Sequence, residues 1–295
     1  IFVFQCMDFT LDSYRISVLG HIGESAGTWD SFNISTRLLQ SKYLNGLEEA
    51  KPSDMEFRYV LIYKDDKLAA CAYLQVVNFS ELNFSGSKSS LLIMFLKLVF
   101  RMKKVRLMFC GNLFSVDYPC LSFNQTLIHF QDLVVILQRI CETEKCQLLM
   151  LKEINSGDTV HKFLIANGFR KYGEDFTMKL DIPEAWESFE DYFRSLTKKY
   201  RKRLSIIQRS GSNIEVRRLD EHEISENLPR IEELFNQTAT RQFLRMGIID
   251  GRYFTSLLKA YGKDFSINGY FYNGRSEEHT SELQSHSDLV CRLLL

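Results

Sequence analysis

Residues 57–77 read FRYVLIYKDDKLAACAYLQVV, and this stretch determines the first elements of the fold. Two apolar runs, 57–63 and 68–77, are separated by the polar residues 64–67. Short runs rich in Val, Ile, Tyr and Leu are typical of strands, and a short polar spacer joins such strands as a hairpin. We therefore predict two antiparallel strands connected by a tight turn.

Helical and strand patterns alternate on both sides of this hairpin. Apolar spacing at about 3.6 residues predicts helices, and Gly168 stands where a left-handed helix cap is expected. The order helix, hairpin, helix, strand, helix, strand, helix, strand predicts one mixed α/β unit. The predicted helices are 29–49, 91–100, 127–144 and 159–167, and the later strands are 105–109, 147–151 and 175–180.

A second unit is predicted from residue 182, because Ile182-Pro183 marks a boundary. Ser188 followed by Asp191 predicts a capping box for one long helix through residue 207, with Tyr200 on its packed apolar stripe. The segment SINGYFYNG then takes the place that RYVLIYKDD holds in the first unit, which indicates a repeat. The later predicted elements are strands at 214–219 and 266–272 and helices near 229–241 and 253–261.

The last 21 residues, 275–295, continue neither a helical nor a strand period. Their first twelve, RSEEHTSELQSH, resemble one reading frame of a common sequencing adapter, so we expect a foreign tail. The predicted organisation is therefore a first unit at 1–181, a second and truncated unit at 182–274, and the tail at 275–295. The strand that would return from 266–272 is expected to be absent.

Composition places the chain among ordinary globular proteins. It has 295 residues, 37 basic and 37 acidic side chains, 45% apolar residues and four prolines. These values exclude a mostly disordered chain and a disulfide scaffold, and zero net charge gives no global attraction to DNA. Seven cysteines without a CxxC pair indicate free thiols in a reducing compartment, so we expect a cytoplasmic protein. Scattered histidines without metal-ligand spacing predict no metal site.

Four segments resemble the GNAT-type acyltransferases. Within that family they are most similar to the tandem proteins of peptidoglycan biosynthesis and recognition, which are related to the Fem-type aminoacyl transferases. The segments are WDSF at 29–32 with YLNGLE at 43–48, CGN at 110–112, FLIANGFRKYGEDFTMKLDI at 163–182, and WESFEDYFRSLTKKYRKRL at 186–204, the most specific. The resemblance implies two GNAT-like halves and acyl transfer to an amine, with a small molecule or a cell-wall precursor as substrate.

The resemblance also implies acyl-CoA as a cofactor. In GNAT-type folds the CoA pyrophosphate binds backbone N–H groups at a helix N-terminus, through a loop with the pattern Q/R-x-x-G-x-G/A. Residues 114–132, between the fourth strand and its helix, contain no glycine. The corresponding stretch of the second unit would lie beyond residue 274, so the sequence leaves CoA binding open.

Candidate catalytic residues occur at two places. Glu153 follows a predicted strand, where α/β sheets place active sites, and its carboxylate could act as a general base toward an amine. Asp117 and Tyr118 form an acid–base pair by residue type. An exposed strand end and an ordinary loop are the alternatives. The candidate substrate-binding residues are Gly111, Asn112 and Lys152, together with Lys198, Lys199, Arg201, Lys202 and Arg203.

Two basic segments indicate anionic partners. The run 198–203 has five cations in six residues and could hold a phosphate, CoA, a tRNA backbone or a nucleotide-linked precursor. The alternative is a solvated helix face. The cations within 101–106 follow the apolar run 91–100, which predicts either a peripheral contact with the inner membrane face or a buried helix leading to a surface turn.

These observations favour a GNAT-type acyltransferase acting on an amine. One rival is a Fem-type transferase that uses aminoacyl-tRNA, which would bind RNA in a salt-sensitive way through 198–203. The other rival is a non-catalytic recognition module, which the missing glycine-rich loop favours.

Overall fold

The computed structural model has the mixed α/β architecture that the sequence predicts. It describes residues 6–32, 36–50, 52–84, 98, 100–101, 105–115, 121–154, 158–171, 180–239, 246–247, 249–272 and 275–276. The strands are β1 (Met7–Leu11), β2 (Tyr14–Leu19), β3 (Met55–Lys64), β4 (Lys67–Phe79), β5 (Val105–Cys110), β6 (Leu121–Phe123), β7 (Leu148–Leu151), β8 (Ile214–Leu219), β9 (Ile267–Tyr272) and β10 (Arg275–Ser276). The helices are α1 (Ala26–Ser31), α2 (Ser41–Ala50), α3 (Phe130–Thr143), α4 (Asp158–Ala166), α5 (Phe189–Ser195), α6 (Lys198–Ser210), α7 (Glu221–Ala239) and α8 (Gly251–Tyr261).

The hairpin predicted from residues 57–77 is confirmed. Strands β3 and β4 pair antiparallel from Met55 opposite Val77 to Lys64 opposite Lys67, with a register shift between Ile62 and Tyr63. The two loop residues Asp65 and Asp66 have φ angles of 49° and 58°. A two-residue hairpin loop favours positive φ at both positions, and aspartate tolerates this conformation better than most residues.

The larger sheet changes from antiparallel to parallel at one edge. Its order is β1-β2-β3-β4-β5-β7, and β5 and β7 are parallel neighbours. Strand β5 pairs with residues 74–79 of β4, whereas β6 pairs with residues 70–72 of the same strand. The chain therefore leaves the sheet between β5 and β6, beside Tyr73. This interruption creates the turn that begins at Gly111.

Each face of the larger sheet has its own core. On one face, α3 buries Leu133, Ile136 and Leu137 completely against the β2–β5 strands, as its predicted apolar spacing requires. On the other face, aromatic side chains from β3 and β4 pack against α1 and α2. That second core also includes residues of α8 and β9, so it joins the two parts of the chain.

Two predicted long helices are wrong. The range 29–49 forms α1 and α2 separated by Phe32 in an extended conformation and a 3-10 turn at Arg37–Leu39. The helix from Ser188 ends at Ser195, because Leu196 and Thr197 have ψ values of 150° and 157° and α6 starts afresh. The predicted capping box at its start is confirmed. Most of 91–100, and all but the last residue of 175–180, lie outside the described residues.

The second part of the chain repeats the order of the first. Strand β8, helices α7 and α8, and strands β9 and β10 follow one another as β2, α1, α2, β3 and β4 do, and the sheet order β10-β9-β8 mirrors β4-β3-β2. Arg275 and Ser276, the first residues of the expected foreign tail, pair with Tyr272 and Phe271. The prediction that the strand returning alongside β9 is absent is therefore wrong, because β10 forms a two-residue strand there.

Helices α2 and α8 occupy equivalent places in this repeat and pack on each other. Tyr43 and Tyr253 stand 210 residues apart, and their hydroxyl oxygens lie 3.0 Å from each other. Gly46 and Ser256 stand the same number of residues apart in the chain, and a Cβ built on Gly46 would lie 3.6 Å from the Cβ of Ser256. Contacts between equivalent positions are the signature of two-fold packing. The domain bounds 1–181 and 182–274 stay a prediction.

A buried ion network connects β3, β5 and α3. Arg58 is only 3% exposed, and its Nε and Nη2 atoms each lie 2.6 Å from a carboxylate oxygen, of Glu144 and Glu56 respectively. Arg106 donates from Nη2 to Glu144 over 3.0 Å, and Asn78 donates to Glu56 over 2.8 Å. Burial alone would raise the pKa of Glu56, but the hydrogen bonds from Asn78 and Arg58 and the nearby charges outweigh it and lower that pKa.

Candidate functional site at the ends of strands β5 and β7

A tightly held turn follows β5. Gly111 has a φ of 132°, a conformation that glycine adopts without strain, and its N–H donates to the Tyr73 carbonyl over 2.9 Å. The side chain of Asn112 is buried and accepts the Phe114 N–H over 2.9 Å. Gln75, fully buried on β4, accepts the N–H of residue 113 over 2.7 Å. The turn is therefore anchored by both backbone and side-chain bonds.

Lys152 reaches the same turn from the end of β7. Lys152 continues the parallel ladder by donating its N–H to the Cys110 carbonyl over 3.0 Å. Its Nζ donates to the carbonyl oxygens of Asn112 and Ser115 over 2.7 and 2.9 Å. The structure therefore brings Lys152 into contact with the Gly111–Asn112 turn, and Glu153 follows Lys152 directly in the chain.

Glu153 is a partly exposed carboxylate directly after Lys152. Its φ is 52°, in the left-handed region that costs a residue with a side chain about 1–2 kcal/mol. It is partly exposed, and none of the described residues hydrogen-bonds to its carboxylate. The carboxylate is therefore accessible to a ligand. The other candidate pair, Asp117 and Tyr118, lies outside the described residues.

Buried hydroxyl and amide groups hydrogen-bond to the turn and to the side chains that hold it. Asn112 donates from Nδ2 to the Tyr43 hydroxyl over 3.3 Å, and Tyr43 contacts Tyr253 of the second part. Gln75 donates from Nε2 to the Tyr73 hydroxyl over 2.9 Å. Burial raises the pKa of Tyr43 and raises that of Tyr73 well above its usual value, so both hydroxyls stay neutral.

Sequence reasoning missed this supporting network. One local signal existed, since Gln75 interrupts the apolar run 68–77, and a buried polar side chain must find partners. The tyrosines give no such signal, because their spacing fits ordinary core positions. Tyr253 in particular lies far along the chain from Asn112, and only the packing of α8 on α2 brings them close.

A second contact links the two parts at the same turn. Gly247 has a φ of 70°, and a Cβ placed there would lie 2.7 Å from the Cε of Met55 and 3.0 Å from the Cζ of Phe114. Both distances are shorter than side chains tolerate without movement. The segment before α8 therefore presses directly on the turn that carries Asn112.

The coupling between the two parts can be measured through the tyrosine pair. We expect Tyr43→Phe and Tyr253→Phe each to lower the free energy of unfolding by about 1 kcal/mol, because each removes a buried hydrogen-bonding partner. The double variant should cost less than the sum by at least about 0.5 kcal/mol, since the residues share one contact. Urea denaturation of the four proteins measures this. Strict additivity would show that the hydroxyls do not interact.

One asparagine, Asn124, accepts the hydrogen bonds of the loop before α3. The Oδ1 atom of Asn124 accepts the N–H and hydroxyl of Thr126 over 3.0 and 2.7 Å. Its backbone carbonyl accepts the N–H groups of Leu127 and Ile128 over 2.9 and 3.0 Å. Three N–H groups of this glycine-free loop are thus already bonded within the protein. Asp132 in the first turn of α3 adds a carboxyl group where a phosphate would have to approach.

The basic cluster lies apart from the β5–β7 turn. Lys198, Lys199, Lys202 and Arg203 are exposed on α6, and Arg201 donates to the Arg194 carbonyl of α5 over 3.0 Å. No described hydrogen bond or ion pair joins these five side chains to the turn. The predicted substrate-binding residues therefore fall into two groups, one at the turn and one on α6.

Tyr200 does not pack as predicted. Its side chain is 53% exposed, and α6 buries none of its residues. The apolar stripe that suggested packing exists in the helix, but the fold provides no surface to cover it in the described part of the chain. A hydrophobic period predicts which side chains share a face and does not say what that face meets.

Comparison with known proteins finds similarity only in the fold. No protein-family model matches the chain, and no curated protein is significantly similar to it. Solved structures that resemble it include an aminoglycoside acetyltransferase from an uncultured soil metagenomic sample (9% identity, TM-score 0.34, 58% of this chain and 98% of that one). Others are a GNAT family acetyltransferase of Staphylococcus aureus (13%, 0.31, 57% and 99%) and a ribosomal-protein-alanine N-acetyltransferase of Brucella melitensis biovar Abortus (9%, 0.31, 57% and 99%).

The fold class is mixed α/β, and its element order and mixed sheet agree with the GNAT-like fold that the sequence predicts. Tandem organisation and a Fem-like relationship stay predictions. Within the described residues, no group of three or more His, Cys, Asp or Glu side chains could hold a metal ion. Among the helices that the structure describes, none is both long and apolar enough to cross a bilayer.

Proposed function

We propose that the chain is an acyltransferase that transfers an acyl group to an amine at the ends of β5 and β7. The observation that carries this proposal is the contact of Lys152 with the Gly111–Asn112 turn at the coincident ends of two parallel strands, with Glu153 next to Lys152 in the chain. Binding sites in α/β sheets form at such strand ends. The resemblance of the sequence to GNAT-type acyltransferases supports the same reaction class.

Glu153 is the general base in this proposal. Attack of an amine on an acyl carbonyl requires removal of one proton from nitrogen, and a partly exposed carboxylate to which no described residue bonds can accept it. The Asn112 turn, held by Gln75 and Lys152, provides a rigid surface against which the amine is aligned. Alignment and proton removal together require no covalent intermediate with the protein.

Acyl-CoA is the proposed donor, and a cell-wall precursor is the proposed acceptor. Both follow from the family resemblance of the sequence. Because Asn124 occupies three N–H groups before α3, we expect the donor phosphates to bind elsewhere than this loop. The Fem-type alternative would use aminoacyl-tRNA as donor, and its activity would depend on added RNA.

Ligand-induced stabilisation tests the proposal directly. Acetyl-CoA at about 100 times its dissociation constant should stabilise the protein by about 2.7 kcal/mol and raise its melting temperature. A primary amine acceptor should then release free thiol from acetyl-CoA, as detected with a thiol reagent. If neither CoA nor acetyl-CoA raises the melting temperature, the CoA-dependent reaction must be abandoned.

A non-catalytic recognition module is the second candidate. The closed Asn124 loop favours it, since that loop leaves its N–H groups bonded to the protein. Such a module would bind an amine-containing ligand at the β5–β7 turn without acyl transfer. Stabilisation by an acceptor in the absence of turnover would identify it.

A further inference from the structure

Exposed apolar surface is concentrated in the segment that connects the two parts of the chain. Helices α5 and α6 contain no buried residue. Scattered exposed apolar side chains are normal, whereas a concentration of them marks an interaction surface. Among the described residues, the exposed large apolar side chains of this segment are Leu180, Ile182, Phe189, Tyr200, Ile206 and Ile207.

The charge of α6 points to an anionic partner. The helix carries six basic residues and no acidic one. Lys198 and Lys199 occupy its first turn, where the helix dipole disfavours each cation by about 0.3–1 kcal/mol. This arrangement does not stabilise the helix itself. A dense negative charge outside the protein would compensate for it.

Helix α6 also carries a narrow apolar stripe that is bordered by basic residues. At about 100° per residue, Tyr200, Leu204 and Ile207 fall within about 60° of one another, and Arg203 and Arg201 flank them on either side. Tyr200 is 53% exposed and Ile207 is 45% exposed. A helix with an uncovered apolar stripe bordered by Lys and Arg has the pattern of helices that lie in a membrane interface.

We propose that α6 binds the surface of an anionic phospholipid membrane. The stripe of Tyr200 and Ile207 enters the boundary between headgroups and acyl chains, while Lys199, Arg201 and Arg203, which border the stripe, extend their charged ends to lipid phosphates. Lys198 and Lys202 point away from the stripe and contribute through longer-range attraction.

Apolar side chains favour lipid over RNA as the partner. A nucleic-acid backbone is bound through its phosphates, and aliphatic groups such as Ile206 and Ile207 contribute little to that contact. In a membrane interface the same groups lose contact with water, which contributes about 25 cal/mol per Å² of apolar surface. No described hydrogen bond or ion pair joins α6 to the β5–β7 turn, and the proposal does not depend on acyl transfer.

Co-sedimentation of the whole chain with lipid vesicles tests the proposal. We expect binding to vesicles of phosphatidylcholine mixed with phosphatidylglycerol and none to vesicles of phosphatidylcholine alone. Binding should weaken as salt is added, because exposed charges are screened beyond about 8–10 Å at physiological ionic strength. The variant Lys199→Gln/Arg201→Gln/Arg203→Gln should bind about 100-fold more weakly, since each cation near the surface contributes about 1 kcal/mol.

A second variant separates lipid insertion from simple charge attraction. Tyr200→Ser/Ile207→Ser keeps every cation, and it should bind the anionic vesicles at least about 10-fold more weakly because apolar burial is lost. A matched control, Lys67→Gln/Lys145→Gln/Lys162→Gln, removes three exposed cations elsewhere and should retain vesicle binding. Unchanged melting temperatures of all variants confirm that folding is intact.

Three results would overturn the proposal. The first is no binding of the unmodified chain to anionic vesicles. The second is full vesicle affinity of Tyr200→Ser/Ile207→Ser, which would leave charge attraction alone. The third is tighter binding to single-stranded polyuridylate than to anionic vesicles in the same buffer, which would assign α6 to RNA.

Discussion

Replacing Glu153 with glutamine is expected to lower kcat for acyl transfer by about 10²–10⁴-fold, the range typical of a lost general base. Glutamine keeps the size and shape of the side chain, so KM for the amine should change little. The free energy of unfolding should stay within about 0.5 kcal/mol, because no described residue bonds to this carboxylate. Steady-state transfer from acetyl-CoA to an amine measures kcat and KM, and urea denaturation measures the free energy of unfolding.

A matched control distinguishes this role from a general effect of charge. Glu142 is an exposed carboxylate on α3 whose described partner is Arg139, one turn away. Glu142→Gln should leave kcat unchanged, since it lies outside the β5–β7 turn. If the two variants retain equal activity, Glu153 is not the base, and the other predicted pair, Asp117 and Tyr118, becomes the next to test.

Replacing Arg58 with alanine is expected to lower the free energy of unfolding by about 3 kcal/mol, the lower end of the cost of removing one partner from a buried ion pair. Glu144 keeps its contact with Arg106 but loses its bonds to Arg58, and its side chain is only 7% exposed, so water replaces those bonds poorly. Urea denaturation measures the loss. Arg139→Ala, which removes an exposed partner of Glu142, should cost no more than about 0.5 kcal/mol.

The same substitution should change how stability depends on pH. The lowered pKa of Glu56 stabilises the folded protein above the unfolded pKa of about 4.3, and this contribution is lost as pH falls through the folded value. Burial is the largest single effect on the pKa of Glu56, and it raises that pKa. Without Arg58 the remaining groups oppose burial less, so the pKa of Glu56 in the folded protein should rise. The stability difference between the wild type and Arg58→Ala should therefore shrink as pH falls from about 5 to 3.

Removing both partners provides the decisive comparison. Arg58→Met combined with Glu144→Leu replaces the buried pair by apolar groups, and it should recover much of the loss seen for Arg58→Ala. Arg106 keeps its contact with Glu56 in that protein. A double variant as unstable as the single one would mean that the network acts through packing of the arginine stem and not through unpaired charge.

Local pattern was sufficient for the elements with strong periodicity. The hairpin of β3 and β4, helix α3 and the strand before Gly111 could all be read from residues close together in the chain, because apolar period and turn residues act locally. Gly168 as a helix end was predictable for the same reason, and its φ is 81°. The candidates Lys152 and Glu153 were found because strand ends are common binding positions.

Helix breaks and surface exposure required the three-dimensional fold. Residues 189–207 have a continuous apolar period, yet the helix stops at Ser195 and restarts at Lys198. Propensity alone rarely decides such a break, since tertiary packing determines most helical stability. Tyr200 illustrates the same limit, because its place in a stripe was readable and its 53% exposure was not.

The sequence by itself determined the mixed α/β order, the hairpin and the identity of the groups at the end of β7. Only the tertiary structure decided that Lys152 meets the Asn112 turn, and that Tyr253 supports this turn from 210 residues beyond Tyr43. The physical reason is the range of the forces involved. Backbone preference and apolar period are set by near neighbours, whereas a buried polar group takes whichever partner the packed core brings within about 3 Å.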